Sequence, residues 1–374
     1  MLTKKKGEKC LKNYIILVAA IIIVVCIVVL VVKKCFIKSN AETDISTTMI
    51  TSGISLMVAA FPGTKELLLS FVAEMADKDI TYETDPAMII CGMILIAFGI
   101  LYKINIRDRI YILNMFGIPV QKEISDDSNI KDLKLADFKV KEILIDFVDV
   151  FNVNMTQKTN EIIVKKIEKV CTAFINRSNG FKSCFTGMAP IPYTILAGTY
   201  LASGKVRRYF EYRRADSKYY ELSKRKKKNY ETLNTIYPNQ PNIGATEVVV
   251  ALSVTRKVQE VDLNQFGTMD IIEIGLSMPN DNIIKSLTQL DEYAGELLNQ
   301  IEGLKQKYPS IQKVHFVASI PSCLSIEIGK RFALNTHRLP QIISYHFVNS
   351  GTPKYPFGII VSDGATGKGK LIKG

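Results

Sequence analysis

The chain has 374 residues, of which 47% are hydrophobic, and it carries a formal net charge of +12 at pH 7. This length and composition leave room for one membrane element and one or two soluble domains, and the basic balance favours anionic partners. The seven cysteines are odd in number and widely scattered, so the sequence supports neither a disulfide framework nor a zinc knuckle. The soluble part is therefore expected to be cytosolic and reduced.

An uninterrupted apolar run extends from Tyr14 to Val32. As a helix, residues 14–32 would be about 28 Å long, close to the hydrocarbon thickness of a bilayer. A signal peptide is the competing interpretation, because Lys4, Lys5 and Lys6 give a basic start and residues 39–41 loosely resemble a cleavage site. The run is longer than the usual apolar core of a signal peptide, so we predict a first transmembrane span at 14–32.

A second apolar run, from Ala87 to Tyr102, predicts a second span at 87–102, with a buried helix of the soluble domain as the alternative. Basic residues flank the two runs at their outer ends, whereas the segment between them is acidic. Both termini are therefore expected in the cytoplasm and the connector 36–85 outside. Within it, Met49 to Met75 is apolar enough to lie along the membrane surface or to line an assembly interface. Residues 1–104 thus form a predicted transmembrane hairpin.

From residue 105 onward the pattern is that of a soluble α/β protein, and its spacing predicts two helices followed by two strands. These elements lie at 136–151, 157–178, 205–212 and 219–222. A run rich in Lys and Arg at 224–228 and a Pro-containing stretch at 237–241 are typical of a linker. We place the first half at 105–230 and the linker at 231–243.

A second set of elements follows the linker and consists of two strands, a long helix and two closing strands. They lie at 246–254, 271–276, 282–308, 341–348 and 357–361. Strands that alternate with helices imply a mainly parallel sheet in each half, with ligands at the carboxyl ends of the strands. We place the second half at 244–362 and a flexible tail at 363–374. Gly364 to Leu371 partly resembles a phosphate loop but lacks its magnesium-binding Ser or Thr.

One segment occurs twice, from Phe185 to Gly198 and from Phe316 to Gly329. In both copies Pro follows Phe by five residues and Gly follows Pro by eight. The stretch before Pro is β-prone and Pro suits the first turn of a helix, so each copy predicts a strand, a turn and a helix. Backbone N–H groups at such a helix start attract phosphate. A duplicated half-site indicates a ligand with repeated chemistry.

Candidate ligand-binding residues come from the two turns, from strand ends at the same rim and from the basic stretch 205–208. The turns would present N–H groups and serine hydroxyls to phosphates. Alternation sends Arg207 and Arg208 to opposite faces of their strand, so at most one faces a pocket, and a solvated edge is the alternative. The candidates are Met188, Ala189, Pro190, Pro192, Lys205, Arg207, Ser253, Thr255, Ser319, Ile320, Pro321, Ser322 and Ser325.

Motifs for catalysis are weak. The histidines His315, His337 and His346 belong to no metal-binding motif, and the sequence has neither cysteine pairs at metal spacing nor Gly-x-Ser-x-Gly. We therefore expect no catalytic residue, no metal and no cofactor. His315, within a predicted strand, is expected to be a packed core residue.

Several short motifs, taken in order, are similar to those of a SAVED domain. They are Gly187 to Pro192, Val206 to Tyr212, Ala251 to Thr255, Val314 to Gly329 and Ile342 to Phe347. The resemblance covers roughly 180–361 and implies two fused CARF-like halves of Rossmann type. SAVED domains are sensors of the bacterial anti-phage systems called CBASS. Two membrane helices ahead of the domain resemble, in architecture, the two-transmembrane SAVED effectors of these systems.

This resemblance implies a receptor for a cyclic oligonucleotide, usually an adenine-containing cyclic trinucleotide, made by a partner nucleotidyltransferase (CD-NTase) when phage infects. Binding would promote homo-oligomerisation, and the clustered helices would disrupt the bacterial inner membrane and kill the infected cell. The last motif adds Tyr345 to the expected ligand-binding residues, and no DNA or RNA polymer is expected as a partner. The sequence has no tryptophan where the family often has one, and Tyr219 and Tyr220 stand there instead.

Two other functions remain open from the sequence. One is a ring nuclease that cleaves the cyclic ligand, and the other is a passive membrane-tethered sensor that recruits another protein. The membrane-disrupting effector is preferred because no other output domain is evident within these residues.

Overall fold

The structure is a computed structural model, and it describes residues 41–60, 86–107, 109–117, 121–148, 155–204, 206–225, 229–363 and 367–374. The chain divides into two compact units, Met1–Arg107 and Asp108–Gly374. The first predicted span, 14–32, lies outside the described residues, as does part of the predicted connector.

The described part of the first unit consists of two helices, α1 (Ala41–Ala59) and α2 (Pro86–Arg107). Within α2, Pro86–Asn105 is long and apolar enough to cross a membrane, and it contains the second predicted span. The apolar stretch of α1, Ile45–Val58, is shorter. The two helices approach so closely at Gly53 that a Cβ atom added there would lie 2.6 Å from the Gly92 carbonyl oxygen. Small residues permit such contact between membrane helices.

The first sheet of the second unit has five strands in the order β2-β1-β3-β4-β5. β1 pairs in parallel with β2 and β3, β3 in parallel with β4, and β5 antiparallel to β4. Its elements are β1 (Arg109–Phe116), α3 (Asp127–Asp132), β2 (Lys139–Asp146), α4 (Gln157–Ser178), β3 (Lys182–Gly187), α5 (Ile191–Tyr200), β4 (Arg208–Arg213) and β5 (Lys218–Glu221).

The second sheet has seven strands in the order β12-β11-β10-β9-β7-β8-β6. Its centre, β8-β7-β9-β10, is parallel, whereas β6, β11 and β12 pair antiparallel at the edges. Its elements are β6 (Asn234–Ile236), β7 (Glu247–Ser253), a 3-10 helix (Glu260–Phe266), β8 (Ile271–Gly275), α6 (Leu287–Lys307), β9 (Lys313–Ser319), α7 (Ser322–Leu334), β10 (Gln341–His346), β11 (Phe357–Ser362) and β12 (Leu371–Lys373). Both sheets are therefore mixed, each with a parallel centre.

Four sequence predictions differ from these elements. The predicted helix at 136–151 is wrong, because 139–146 forms β2, where β-branched residues pair beside β1. The predicted linker contains β6, which pairs with β8. The predicted flexible tail ends in β12, which pairs with β11. Helix α6 begins only after Ser286, whose side chain caps it by accepting from the Gln289 N–H.

The two copies of the repeat form equivalent units, β3 with α5 and β9 with α7. Their helices cross at the repeated glycines. A Cβ atom on Gly198 would clash with the Ile326 carbonyl oxygen, and one on Gly329 would clash with the Ile195 carbonyl oxygen. Ile195 and Ile326 each stand three residues before the glycine of their own helix, so the contact is reciprocal. Since the chain halves meet here without intervening side chains, the crossing fixes their separation.

Gly198→Ala is expected to lower the free energy of unfolding by about 3 kcal/mol, because the new methyl group must separate two tightly packed backbones. Denaturant unfolding of the full-length protein in detergent measures this change. Gly303→Ala on α6 is the matched control, since a Cβ atom there meets nothing within 4 Å. The control should be neutral or stabilising by up to about 1 kcal/mol. Equal effects of the two substitutions would contradict a constrained crossing.

Candidate functional site

A cavity of about 310 Å³ lies between the two halves of the second unit, where the turns of the repeats converge. We call it the inter-half cavity. It is open to solvent on one side and is lined by residues from both halves. The lining residues are Met188, Ala189, Ile191, Glu211, Tyr212, Arg214, Ala215, Thr255, Arg256, Asp281, Asn282, Ser319, Ile320, Pro321 and Ser322.

Parallel strand pairing places the hydroxyl groups at this rim. β7 and β9 pair in register as far as Ser253 and Ser319, so both strands end at the same level. Thr255 then donates its N–H to the Ser319 carbonyl oxygen at 2.9 Å, and the two side-chain hydroxyls share a hydrogen bond of 2.8 Å. The carboxyl ends of parallel strands thus face the cavity, as is usual for ligand sites in α/β sheets.

The start of helix α7 already holds an anion from within the chain. The side chain of Glu211, on β4 of the first half, accepts a hydrogen bond from the Cys323 N–H at 2.5 Å. The Ser322 N–H also stabilises this carboxylate. A helix start favours a negative charge, so the interaction is the one that a phosphate group would make. The sequence predicts these N–H groups as ligand donors, whereas the structure pairs them with Glu211.

Burial dominates the electrostatics of Glu211. The side chain lies on the cavity wall with only 5% of its surface exposed, and burial raises its pKa to about 7, although the bonds from Cys323 and Ser322 act in the opposite direction. Burial and the neighbouring Glu211 also raise the pKa of the Cys323 thiol well above its ordinary value. Glu211 is therefore a carboxyl group that changes charge near neutral pH.

The other charged groups of the cavity are more exposed. Arg214 follows β4 and is exposed. Arg256 lies 3.7 Å from Asp281 in a loose, solvent-exposed ion pair. When Glu211 is ionised, its charge and that of Asp281 balance the charges of the two arginines. The cavity then has little net charge.

Seven of the predicted residues line the inter-half cavity, and the structure places four others close to it but not on its wall. Those that line it are Met188, Ala189, Thr255, Ser319, Ile320, Pro321 and Ser322. Pro190 is the N-cap residue of α5, and Pro192 lies in the first turn of that helix. The Ser253 hydroxyl accepts from the Val258 N–H at 3.0 Å, and the buried Ser325 hydroxyl donates to the Pro321 carbonyl oxygen at 3.2 Å.

Two predicted residues lie away from the cavity, and a third, Lys205, lies outside the described residues. Arg207 stands at the amino end of β4, where its N–H bonds to the Ser183 carbonyl oxygen. Tyr345 is buried against Phe266, and its hydroxyl shares a hydrogen bond of 2.9 Å with His315 Nδ1. His315 is itself buried, as predicted.

The sequence prediction missed six polar or aromatic residues of the cavity wall. They are Glu211, Tyr212, Arg214, Arg256, Asp281 and Asn282. One pattern could have found Arg214, since it follows the carboxyl end of a predicted strand, whereas Arg207 stands at the amino end. Nothing local marks Glu211, whose partner Cys323 is 112 residues away. Among the described residues, no group of three or more His, Cys, Asp or Glu side chains could hold a metal ion.

Residues 166–361, about half of the chain, match the family described as "SAVED: SMODS-associated and fused to various effectors sensor domain". The chain belongs to the SAVED family. The matched region contains both repeats, both helices of the crossing and the whole lining of the inter-half cavity. The sequence resemblance to a SAVED domain is thus confirmed.

Solved structures of a SAVED/CARF-domain containing receptor, Cap4 of Acinetobacter baumannii, are also similar to this chain. Its complex with the cyclic trinucleotide 2′3′3′-cAAA has 16% identity and a TM-score of 0.47, and the match covers 79% of this chain and 65% of that one. The complex with 3′3′3′-cAAA has 15% identity, with the same TM-score and coverage. The chain therefore spans about 65% of the length of these receptors. No curated protein matches the sequence.

The SAVED domain should lose stability as Glu211 ionises. Its folded-state pKa of about 7 lies above the ordinary value of 4.5, so its stabilising contribution is complete below about pH 4.5 and is lost as the pH rises through about 7. The free energy of unfolding of Glu211→Gln, taken relative to that of the parent, should therefore increase by about 3 kcal/mol between pH 4.5 and pH 8. Denaturant unfolding of the full-length protein at both pH values measures the gain.

Asp281→Asn is the matched control, because it removes one negative charge from the same cavity at an exposed position. It should not reproduce the pH trend of Glu211→Gln. A parallel pH response of the two variants would show that Glu211 does not titrate in this range.

Proposed function

We propose that this protein is a membrane-bound receptor and effector that binds a cyclic oligonucleotide in the inter-half cavity of its SAVED domain. The observation that carries the proposal is the convergence of the two repeated turns on one cavity. A ring of nucleotides repeats the same phosphate and base around its circumference, and a duplicated site matches such a ligand. Membership of a family of sensor domains supports the same conclusion.

The chemistry of the cavity fits phosphates at its rim and bases at its wall. Arg214 and Arg256 are exposed cations that can contact phosphate oxygens, and the hydrogen-bonded hydroxyls of Ser319 and Thr255 leave one O–H free to donate. Tyr212 supplies an aromatic ring at the wall, next to Tyr219 with ring centroids 5.0 Å apart. An aromatic ring favours stacking of a base. We take an adenine-containing cyclic trinucleotide, made by a partner CD-NTase, as the proposed ligand.

The size of the cavity supports a site shared between copies. Its 310 Å³ lies at the lower end of the range for ligand pockets, about 300–1,000 Å³. A cyclic trinucleotide would extend beyond it and offer part of its surface to a second chain. Ligand binding would then favour the assembled state by differential affinity and drive homo-oligomerisation.

The membrane part is proposed to be the output. Helix α2 contains a candidate span, and large apolar side chains such as Phe98 and Leu101 are exposed on its surface. Clustering of several copies would bring these helices together in the bacterial inner membrane and disrupt it, so that the infected cell dies before phage spreads. In this proposal the protein is multi-pass with both termini in the cytoplasm, and it binds its ligand without cleaving it.

Ligand binding can be tested by thermal unfolding of the full-length protein in detergent against a panel of cyclic di-, tri- and tetranucleotides. A ligand at one hundred times its dissociation constant should stabilise the protein by about 2.7 kcal/mol. Arg214→Glu should abolish the shift, whereas Lys166→Glu, an exposed charge reversal on α4, should keep it. No shift with any ring, or equal loss in both variants, would contradict a nucleotide site in the inter-half cavity.

Membrane disruption can be tested with the full-length protein in dye-loaded vesicles. The stabilising cyclic nucleotide should release dye from vesicles with the parent protein and not from those with Arg214→Glu. Chromatography of the nucleotide after incubation should recover it intact. Binding without release would favour the passive sensor, and a linearised nucleotide would favour the ring nuclease.

A further inference from the structure

Glu211 occupies a position that a bound phosphate would require. Its carboxylate bonds to the Cys323 N–H at 2.5 Å, and the Ser322 N–H also stabilises it. Ser322 also lines the inter-half cavity, so the start of α7 and the cavity are one continuous site. Helix α7 extends from Ser322 to Leu334, which is long enough for its start to attract anions.

No cation neutralises Glu211 in the described part of the chain, where no Lys, Arg or His lies within ion-pair distance of its carboxylate. Glu211 nevertheless faces several titratable and charged groups on the elements packed around it. Cys323 on α7 and Tyr220 on β5 interact with its carboxylate, and Arg214 after β4 lines the same cavity together with Arg256 and Asp281 on the loops of the second half. An anionic ligand in this cavity therefore meets a negative charge that no cation offsets and that is held by the backbone N–H groups of Ser322 and Cys323 and by the Cys323 thiol.

We propose that Glu211 is an internal anion that competes with the ligand for the start of α7, so that a ligand phosphate binds there only when the Glu211 carboxylate is protonated. This proposal rests on the proposed function, because it concerns the same site and a phosphate-bearing ligand. Ionised Glu211 thereby lowers the affinity for the ligand, and it does not contribute a contact that strengthens binding.

The sign of the pH dependence follows from competition. The burial that raises the pKa of Glu211 to about 7 leaves the group mainly protonated at pH 6 and mainly ionised at pH 8. Ligand binding should therefore take up close to one proton per site at pH 8. The affinity should fall about tenfold from pH 6 to pH 8 if only the protonated form admits the phosphate.

The experiment is calorimetric titration of 2′3′3′-cAAA into the full-length protein in detergent at pH 6 and pH 8, in two buffers of different ionisation enthalpy. The parent protein should take up protons and bind about tenfold more weakly at pH 8. Glu211→Gln keeps an oxygen that can accept from Cys323 but has no charge, so it should bind equally at both pH values and take up no proton. Asp281→Asn, the control, should retain the pH dependence of the parent.

Proton uptake by the parent protein needs no variant, so its absence, together with pH-independent affinity, overturns the proposal even if Glu211→Gln does not fold. A Glu211→Gln protein that keeps the parent's pH dependence, or binds more weakly than the parent at pH 8, also overturns it.

An experiment with inorganic phosphate distinguishes a failure of this proposal from a failure of the proposed function. If 2′3′3′-cAAA binds to no form of the protein, the proposed ligand is wrong, and thermal unfolding in phosphate against chloride at pH 8 decides the role of Glu211. Greater stabilisation of Glu211→Gln than of the parent by phosphate supports an internal competitor. Equal stabilisation of the two proteins overturns it.

Discussion

The contact between Gly198 and Gly329 is the constraint on which the rest of the second unit depends. Helices α5 and α7 approach so closely there that neither glycine has room for a Cβ atom. Each helix follows a strand of its own sheet, so the crossing sets the distance between the two sheets. It also brings the turns before the helices to a common cavity. One apolar core then extends through both halves and includes the buried Phe185 and Phe316, the first residues of the two repeats.

Polar contacts also join the two halves beside this crossing. They stabilise the fold, and they include a residue of the candidate site. Tyr209 and Glu211 lie two residues apart on β4, so both side chains project toward α7. The Tyr209 hydroxyl donates to Glu327, which Lys330 also contacts at 2.6 Å. Glu211 binds the first turn of the same helix. A ligand that displaces Glu211 would change a contact between the halves, which provides a physical route from binding to rearrangement.

The local sequence pattern predicted most of the central strands and helices. Where it failed, pairing with a neighbouring strand decided the structure. Residues 139–146 contain apolar and charged residues at spacings that fit a helix, but β1 offers them a strand partner and pairing prevails. The short strands β6 and β12 are recognisable only from their neighbours, because each has three residues and pairs antiparallel at a sheet edge. Isolated short strands carry little periodic information.

By itself, the sequence determined the duplicated strand-turn-helix unit, the family, and the seven turn and rim residues of the cavity, because these features are encoded in short contiguous segments. Tertiary structure alone decided that Glu211 occupies the start of α7 and that Arg256 and Asp281 line the same cavity. The physical reason is that these contacts join segments from both halves of the second unit, and only the packing of the two sheets around the glycine crossing brings those segments together.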